Sequence, residues 1–281
     1  MIRVIINADD LGKSTQVNNA IRQALADGVI SSSTIMANSE NWDEVHSIVE
    51  RNPLASFGIH LNLTEGKALT ESNVFYKSGI VDDNNFFTKK ILDIAEYTPE
   101  IMLAVKEEWN AQINKVKNIE GIGVSHIDGH HHIHTFYPLR IVLSECLEQF
   151  DISKIRNRYH YPRRRFSTLM HKMIASLSHS ENAFNLFYRH KSDNTYIKIV
   201  YSALETERWR KAIKSHFLTT DFFDAYEHFC LIAHSLDRND EATIELMCHP
   251  GHPDYEAEYK SITNHKLESI FPYKLISYKE L

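Results

Sequence analysis

Between Ser125 and His134 the chain reads Ser-His-Ile-Asp-Gly-His-His-His-Ile-His. As extended backbone, whose side chains alternate faces, it would set His126, Asp128, His130, His132 and His134 on one side and Ile127 and Ile133 on the other. Imidazoles and carboxylates hold divalent ions and carry protons. At about 3.3 Å per residue such a row is roughly 25 Å long, so its members cannot all reach one ion. Gly129 is therefore expected to turn the chain, leaving one or two histidines as ligands and the rest to bind substrate, move protons or support the ligands. The alternative is a polar His-rich loop.

Other candidates stand far away in sequence. Asp9-Asp10 follows the short apolar run Val4–Asn7, His60 lies in Phe-Gly-Ile-His-Leu-Asn-Leu, Arg156 ends Ile152–Arg156, and His249-Pro250-Gly251-His252 follows Thr243–Cys248. Adjacent aspartates on a strand point to opposite faces, so one can bind an ion while its neighbour takes a proton from water; taken alone, the pair reads equally as a turn and helix cap. One carboxylate and two imidazoles leave open positions on an ion, as catalytic sites do. With no serine elbow and no Cys–His pairing visible, metal-assisted hydrolysis leads.

Positioning such groups takes a large core. The 281 residues carry ordinary apolar content and a formal charge of −6 that is spread rather than blocked, which suits one α/β domain with a small-molecule partner and excludes a nucleic-acid footprint or a basic membrane face. Cys146, Cys230 and Cys248 lack CxxC spacing and read as core residues of a reducing compartment. The opening apolar run is too short for a signal peptide and no later run spans a bilayer, so a cytoplasmic protein is expected.

Strands alternate with helices along the chain. Apolar residues at Val17, Ala20, Ile21, Ala24 and Leu25 predict a helix over Gln16–Asp27, and Trp42–Arg51, Pro99–Val116, Pro138–Gln149, Glu205–Phe217, Asp221–His234 and Tyr255–Ile270 read likewise. Val29–Ala37, Phe57–Leu63, Gly123–Asp128, Tyr196–Val200 and Lys274–Tyr278 complete the strands. Residues 64–88 are irregular and read as a lid or dimer arm, and Tyr159–His190 is basic and aromatic. The alternation indicates a single-domain, irregular (β/α) TIM-like barrel over 1–281, with every candidate near the C-terminal end of a strand, on one rim.

Asn7-Ala8-Asp9-Asp10-Leu11-Gly12, Val17-Asn18, Gly58–Thr64, His126–His134 and Cys248–Gly251 together resemble the YdjC family of carbohydrate deacetylases. The resemblance implies a barrel enzyme that removes acetyl groups from N-acetylated mono- or oligosaccharides of chitooligosaccharide type. It implies a divalent ion, Mg²⁺ ahead of Zn²⁺, on Asp10, His60 and His130, with Asp9 as base. Arg156 resembles an arginine that orients that base, His249 and His132 are the candidates for protonating the leaving amine, and a homodimer is expected. Leu11 stands where the family commonly has Phe, and Tyr159–Phe229 diverges, which puts the substrate's size in doubt. Two other classes remain: a metal-dependent phosphoesterase or amidohydrolase, which would usually open on His-x-His, and a non-catalytic sugar-binding protein, which would have lost Asp9 or a ligand.

Overall fold

β1 (Arg3–Leu11) is buried from Val4 to its end, so both of its faces must be covered. The computed structural model shows how. It describes residues 1–94, 96–119, 121–158, 207–233, 241–270 and 272–281. After β1 come α1 (Thr15–Ala26), β2 (Ser32–Ile35), α2 (Trp42–Arg51), β3 (Ser56–Leu61), α3 (Asn73–Lys77), α4 (Pro99–Lys117), β4 (Val124–Gly129) and α5 (Arg140–Gln149). Beyond a helical run at 207–214 come β5 (Phe222–Ala225), α6 (Tyr226–Ile232), β6 (Thr243–Cys248), α7 (Glu256–Thr263), α8 (Lys266–Ile270) and β7 (Lys274–Leu275).

β1 to β7 pair in parallel throughout, in the order β4-β3-β2-β1-β6-β5, with β7 added to the start of β1. The sheet is curled. A complete barrel ladder is not present among the described residues; single bridges, Ile127 to Ile155 and Lys154 to Leu218, continue from β4 toward the segment before β5.

Alternation gives the curl two different faces. Val4, Ile6 and Ala8 of β1, Phe57, Ile59 and Leu61 of β3 and Ile244, Leu246 and Cys248 of β6 belong to the large apolar core shared with the helices. Ile5, Asn7, Asp9, Glu245 and Asp128 fall on the opposite parity, inside the curl. All three cysteines are buried and none forms a disulfide.

Local chemistry sets the helix ends. The Ser14 side chain accepts from Val17 N–H at the start of α1, and Thr98 does the same for Ile101 before Pro99 opens α4. Ile101, Val105, Trp109, Ile113 and Val116 form the buried stripe of α4. Two polar residues on α4 are buried as well. Glu108 accepts the backbone N–H groups of Leu69 and Thr70, and Gln112 exchanges hydrogen bonds with the backbone of Asn62. Residues 64–88 are thereby tied to α4, and Phe75, Ile80, Val81 and Phe87 are buried within that segment.

Several expected boundaries move. Asp221–His234 is β5 followed directly by α6, because Phe222–Ala225 pairs in register with Ile244–Met247. The closing helix is two helices, interrupted at His265, whose φ is 53°. Only Lys274–Leu275 of the last strand is ladder; Tyr278–Glu280 is a 3-10 turn fixed by a Ser277/Glu280 capping box. The expected strand at Tyr196–Val200 and the basic segment from Tyr159 to His190 lie outside the described residues. No helix among the described residues is long and apolar enough to cross a membrane.

Candidate active site

Two adjacent aspartates reach the same cleft because β1 stops being regular between them. Its register against β2 shifts between Ala8 and Leu11, and Asp10 adopts a φ of 70°. A bulge of this kind re-aims a side chain that ordinary pleating would send outward. Asp10 Oδ1 then lies 2.9 Å from His130 Nδ1 and 3.3 Å from His60 Nε2. Neither approach has hydrogen-bond geometry, and this buried oxygen has no hydrogen-bond partner. Ligand atoms of Asp10, His60 and His130 lie within 4.8 Å of one another.

Each imidazole is held from behind. His60 Nδ1 is 2.6 Å from Asp128 Oδ1, and Thr34 Oγ1 donates to Asp128 Oδ2 at 3.0 Å. That pairing keeps a His60 proton on Nδ1 and turns Nε2 toward Asp10. His130 Nε2 lies 2.9 Å from Glu65 Oε2, which also accepts from Lys13 Nζ at 3.0 Å. Burial would push the His60 pKa down, but Asp128 and Asp10 outweigh it and push it up to about 10. Burial likewise works against an ionised Asp10, yet its two histidine neighbours hold its pKa well below the usual range. The site therefore attracts positive charge, and an orphaned carboxylate oxygen facing two carboxylate-backed imidazoles fits a divalent cation.

Asp9 is arranged differently. Arg156, fully buried, donates from Nη1 to Asp9 Oδ2 and from Nη2 to Oδ1, both at 2.7 Å. Asn7 Nδ2 adds a third hydrogen bond to Oδ1 at 2.8 Å. Burial opposes ionisation, and this fork overrides it, holding the Asp9 pKa far below the usual carboxylate range. Arg156 Nη1 is also 2.7 Å from Asp128 Oδ2, so one guanidinium serves both the Asp9 side and the support behind His60.

The remaining histidines separate by surroundings. His249 follows β6, its backbone N–H donates to Glu258 Oε2 at 2.6 Å, and its ring stacks on Tyr255 with centroids 4.4 Å apart. Gly251 lets this turn press against α1: its φ is 79°, and a Cβ there would lie 2.7 Å from Gln16 O. Burial alone would lower the His249 pKa; Glu258 and Asp9 raise it. His132 has a buried Nδ1 with no partner and a ring edge-on to Phe223, and burial followed by Arg158 and Arg156 drives its pKa well down. His126 stacks on Tyr278 at 3.5 Å, and His134 is buried against Trp209. The turn after β4 is not made by Gly129, whose φ of −167° is extended, but by His131 and His132 at φ 50° and 56°. A cleft of about 460 Å³ is lined by Asp9, Asp10, His60, His130, His132, His249 and Tyr255.

A family model described as YdjC-like protein matches residues 3–278. The chain belongs to the YdjC family. A carbohydrate deacetylase of Oceanobacillus iheyensis is 33% identical over 54% of this chain, a match that spans only 63% of that relative. One from Halalkalibacterium halodurans is 26% identical over 90% of this chain and 86% of its own length. A crystal structure from Enterococcus faecalis, provisionally described as a cellobiose-phosphate cleavage protein, superposes with a TM-score of 0.68 at 20% identity, covering 99% of this chain and 98% of that one. That likeness shows the fold.

Within this YdjC-family chain, Asp9, Asp10, His60, His130, His132 and His249 line one cleft, and Arg156 reaches it through Asp9. The sequence reading assigned no part to Glu65 or Glu245, nor to Asp128 as the support for His60. Glu245 did carry a signal, being a carboxylate in the middle of the apolar run Thr-Ile-Glu-Leu-Met-Cys. Glu65 carried none, since its contact with His130 depends on how the loop after β3 folds back.

Proposed function

We propose that this chain removes acetyl groups from N-acetylated mono- or oligosaccharides, with Asp10, His60 and His130 holding a divalent cation and Asp9 acting as general base. The observation that carries the reading is the orphaned, buried Asp10 Oδ1 between two carboxylate-backed imidazoles, beside an arginine-clamped aspartate. An ion bound there would supply a polarised acetamide carbonyl and a water acidified enough for a weak carboxylate base.

The chain's own residues do the rest. Arg156 keeps Asp9 ionised and fixes its two oxygens, so Asp9 takes the proton as water adds to the acetamide carbon. The C–N bond then breaks, acetate forms, and the amine nitrogen takes a proton from His249. Glu258 supports a protonated His249, whereas burial and the nearby Arg158 and Arg156 keep His132 neutral, which suits it to shaping the cleft.

The family resemblance favours Mg²⁺, while two imidazoles and one carboxylate are donors that suit Zn²⁺. Chitooligosaccharide-type sugars, a cytoplasmic location, a homodimer, barrel closure beyond the described ladder and a lid at 64–88 belong to the same proposal. The test is acetate release from a panel of N-acetylated sugars, N,N′-diacetylchitobiose among them, by metal-stripped protein with Mg²⁺ or Zn²⁺ restored. Metal-dependent acetate release is expected and names the ion. Phosphate release from an ester with none from the sugars would replace the reading by a phosphoesterase; sugar binding without turnover would replace it by a binding protein.

A further inference from the structure

Beneath the cleft, the inside of the curl is filled by the last residues of the chain. Ile276 and Tyr278 form a small apolar cluster with Ile5, separate from the main core. Tyr278 is fully buried although only three residues from the last, Leu281, and it contacts several strands. Its backbone N–H donates to Ser56 Oγ at the start of β3, its carbonyl accepts from Lys154 Nζ, and its ring stacks on His126 of β4 with the planes 9° apart. Gly58 makes room for that stack, because a Cβ there would lie 2.5 Å from the His126 ring.

The Tyr278 hydroxyl is what packing does not require. It donates to Glu245 Oε2. The other oxygen of Glu245 accepts from Arg156 Nε at 2.8 Å, and the far end of the same guanidinium forks onto Asp9. Arg156 therefore has three carboxylate partners, Asp9, Asp128 and Glu245, fixed at its Nη and Nε atoms. A planar guanidinium held at Nε cannot swing about its long stem, and that sets the angle at which its other end meets a carboxylate.

We propose that Glu245 and Tyr278 are positioning residues for the reaction: the buried C-terminal turn locks Arg156 from below, and Arg156 thereby orients Asp9. The inference rests on the deacetylase reading for its kinetic test. Neither residue lines the cleft that holds Asp10, His60 and His130.

Tyr278→Phe keeps the ring and its stack on His126 and removes only the O–H. The expected result is a kcat lowered about tenfold or more, with KM and bound metal unchanged, the pattern of an interaction needed in the transition state. Ile276→Val trims the same cluster without touching the hydrogen-bond chain; it should lower the thermal midpoint and leave kcat alone. In a Glu245→Gln background, Tyr278→Phe should add almost nothing, since the two act as one chain. A wild-type kcat in Tyr278→Phe, or losses that multiply in the double variant, would overturn the proposal. If wild-type protein releases no acetate from any sugar, the deacetylase reading fails by itself, and the positioning claim is then read from ¹⁵N-arginine spectra of the full chain. The Arg156 Nε–H signal should shift in Tyr278→Phe and stay put in Ile276→Val; an unmoved signal in Tyr278→Phe would sink it.

Discussion

The two faces of the curled sheet are built from the same strands, one residue out of step, and they obey opposite rules. Outward, Ile6, Ile59 and Leu246 meet helices in an apolar core. Inward, Asp9, Asp128, Glu245, Arg156 and His60 are equally buried but face one another. Buried charge is costly unless paired, and replacing such groups by well-packed apolar ones is often neutral or stabilising. The inner face is therefore hard to explain by stability and easy to explain by chemistry. Its ion pairs differ in kind as well: Arg156 satisfies Asp9 through two hydrogen bonds, while Asp10 Oδ1 is left without one. The satisfied carboxylate suits a base and the unsatisfied one suits a ligand.

Inner-face changes should remove function, and the largest effect belongs to Asp9. Asp9→Asn should cut kcat by about 10²–10⁴-fold while metal content stays at the wild-type level. Retained turnover in Asp9→Asn would dissolve the distinction between the carboxylates. His60→Ala should lose both bound metal and activity, as metal analysis of the purified variant would show. The outer face should answer the other way. Leu246→Ala opens a cavity behind β6 and should cost about 2–5 kcal/mol of stability by denaturant unfolding, with the kcat of the folded fraction unchanged. A kcat that fell with stability would mean the faces are not separable. Smaller still, Glu65→Gln should weaken metal binding about 10–100-fold, in line with the support that carboxylates give ligating histidines.

This asymmetry also explains what the sequence made legible. The outer face is periodic, so Trp42–Arg51 and Thr243–Cys248 are read to the residue from apolar spacing alone. Of the site, Asp9, Asp10, His60 and His130 were singled out as candidates by type and strand-end position, while the roles proposed for them came from the family resemblance. The rest depends on contacts between distant segments. The β5–α6 junction looks like one apolar run, since strand and helix follow without a turn residue between them. The turn at His131 and His132 uses left-handed backbone where a glycine was expected to serve, and Gly129 instead admits His134, whose Nδ1 would be 3.0 Å from an added Cβ. Tyr278 reads as the end of a strand, because nothing in a C-terminal Ser-Tyr-Lys-Glu says that it will fold under the site.

The smallest expected effect tests whether the inner face is waiting for a cation. In metal-free protein the His60 pKa lies near 10, above its ordinary value of 6.5, because burial is outweighed by Asp128 and Asp10. A raised pKa means that the folded state binds this proton more tightly than the unfolded state does. Its stabilisation is complete below pH 6.5 and is lost as pH rises toward 10. Glu245, pushed up from 4.5 to about 7 chiefly by burial, slopes the same way over its own window, between those two values. Below pH 6.5 the buried His126, His132 and His134, whose pKa values are lowered chiefly by burial, slope the other way and oppose Glu245, so thermal midpoints of metal-free protein should decline only above it, as pH rises toward 10. A bound ion takes the place of the His60 proton, so saturating metal should flatten that decline. Identical midpoint profiles with and without metal would mean that no ion replaces that proton, and the contrast between the orphaned Asp10 and the clamped Asp9 would lose its chemical meaning.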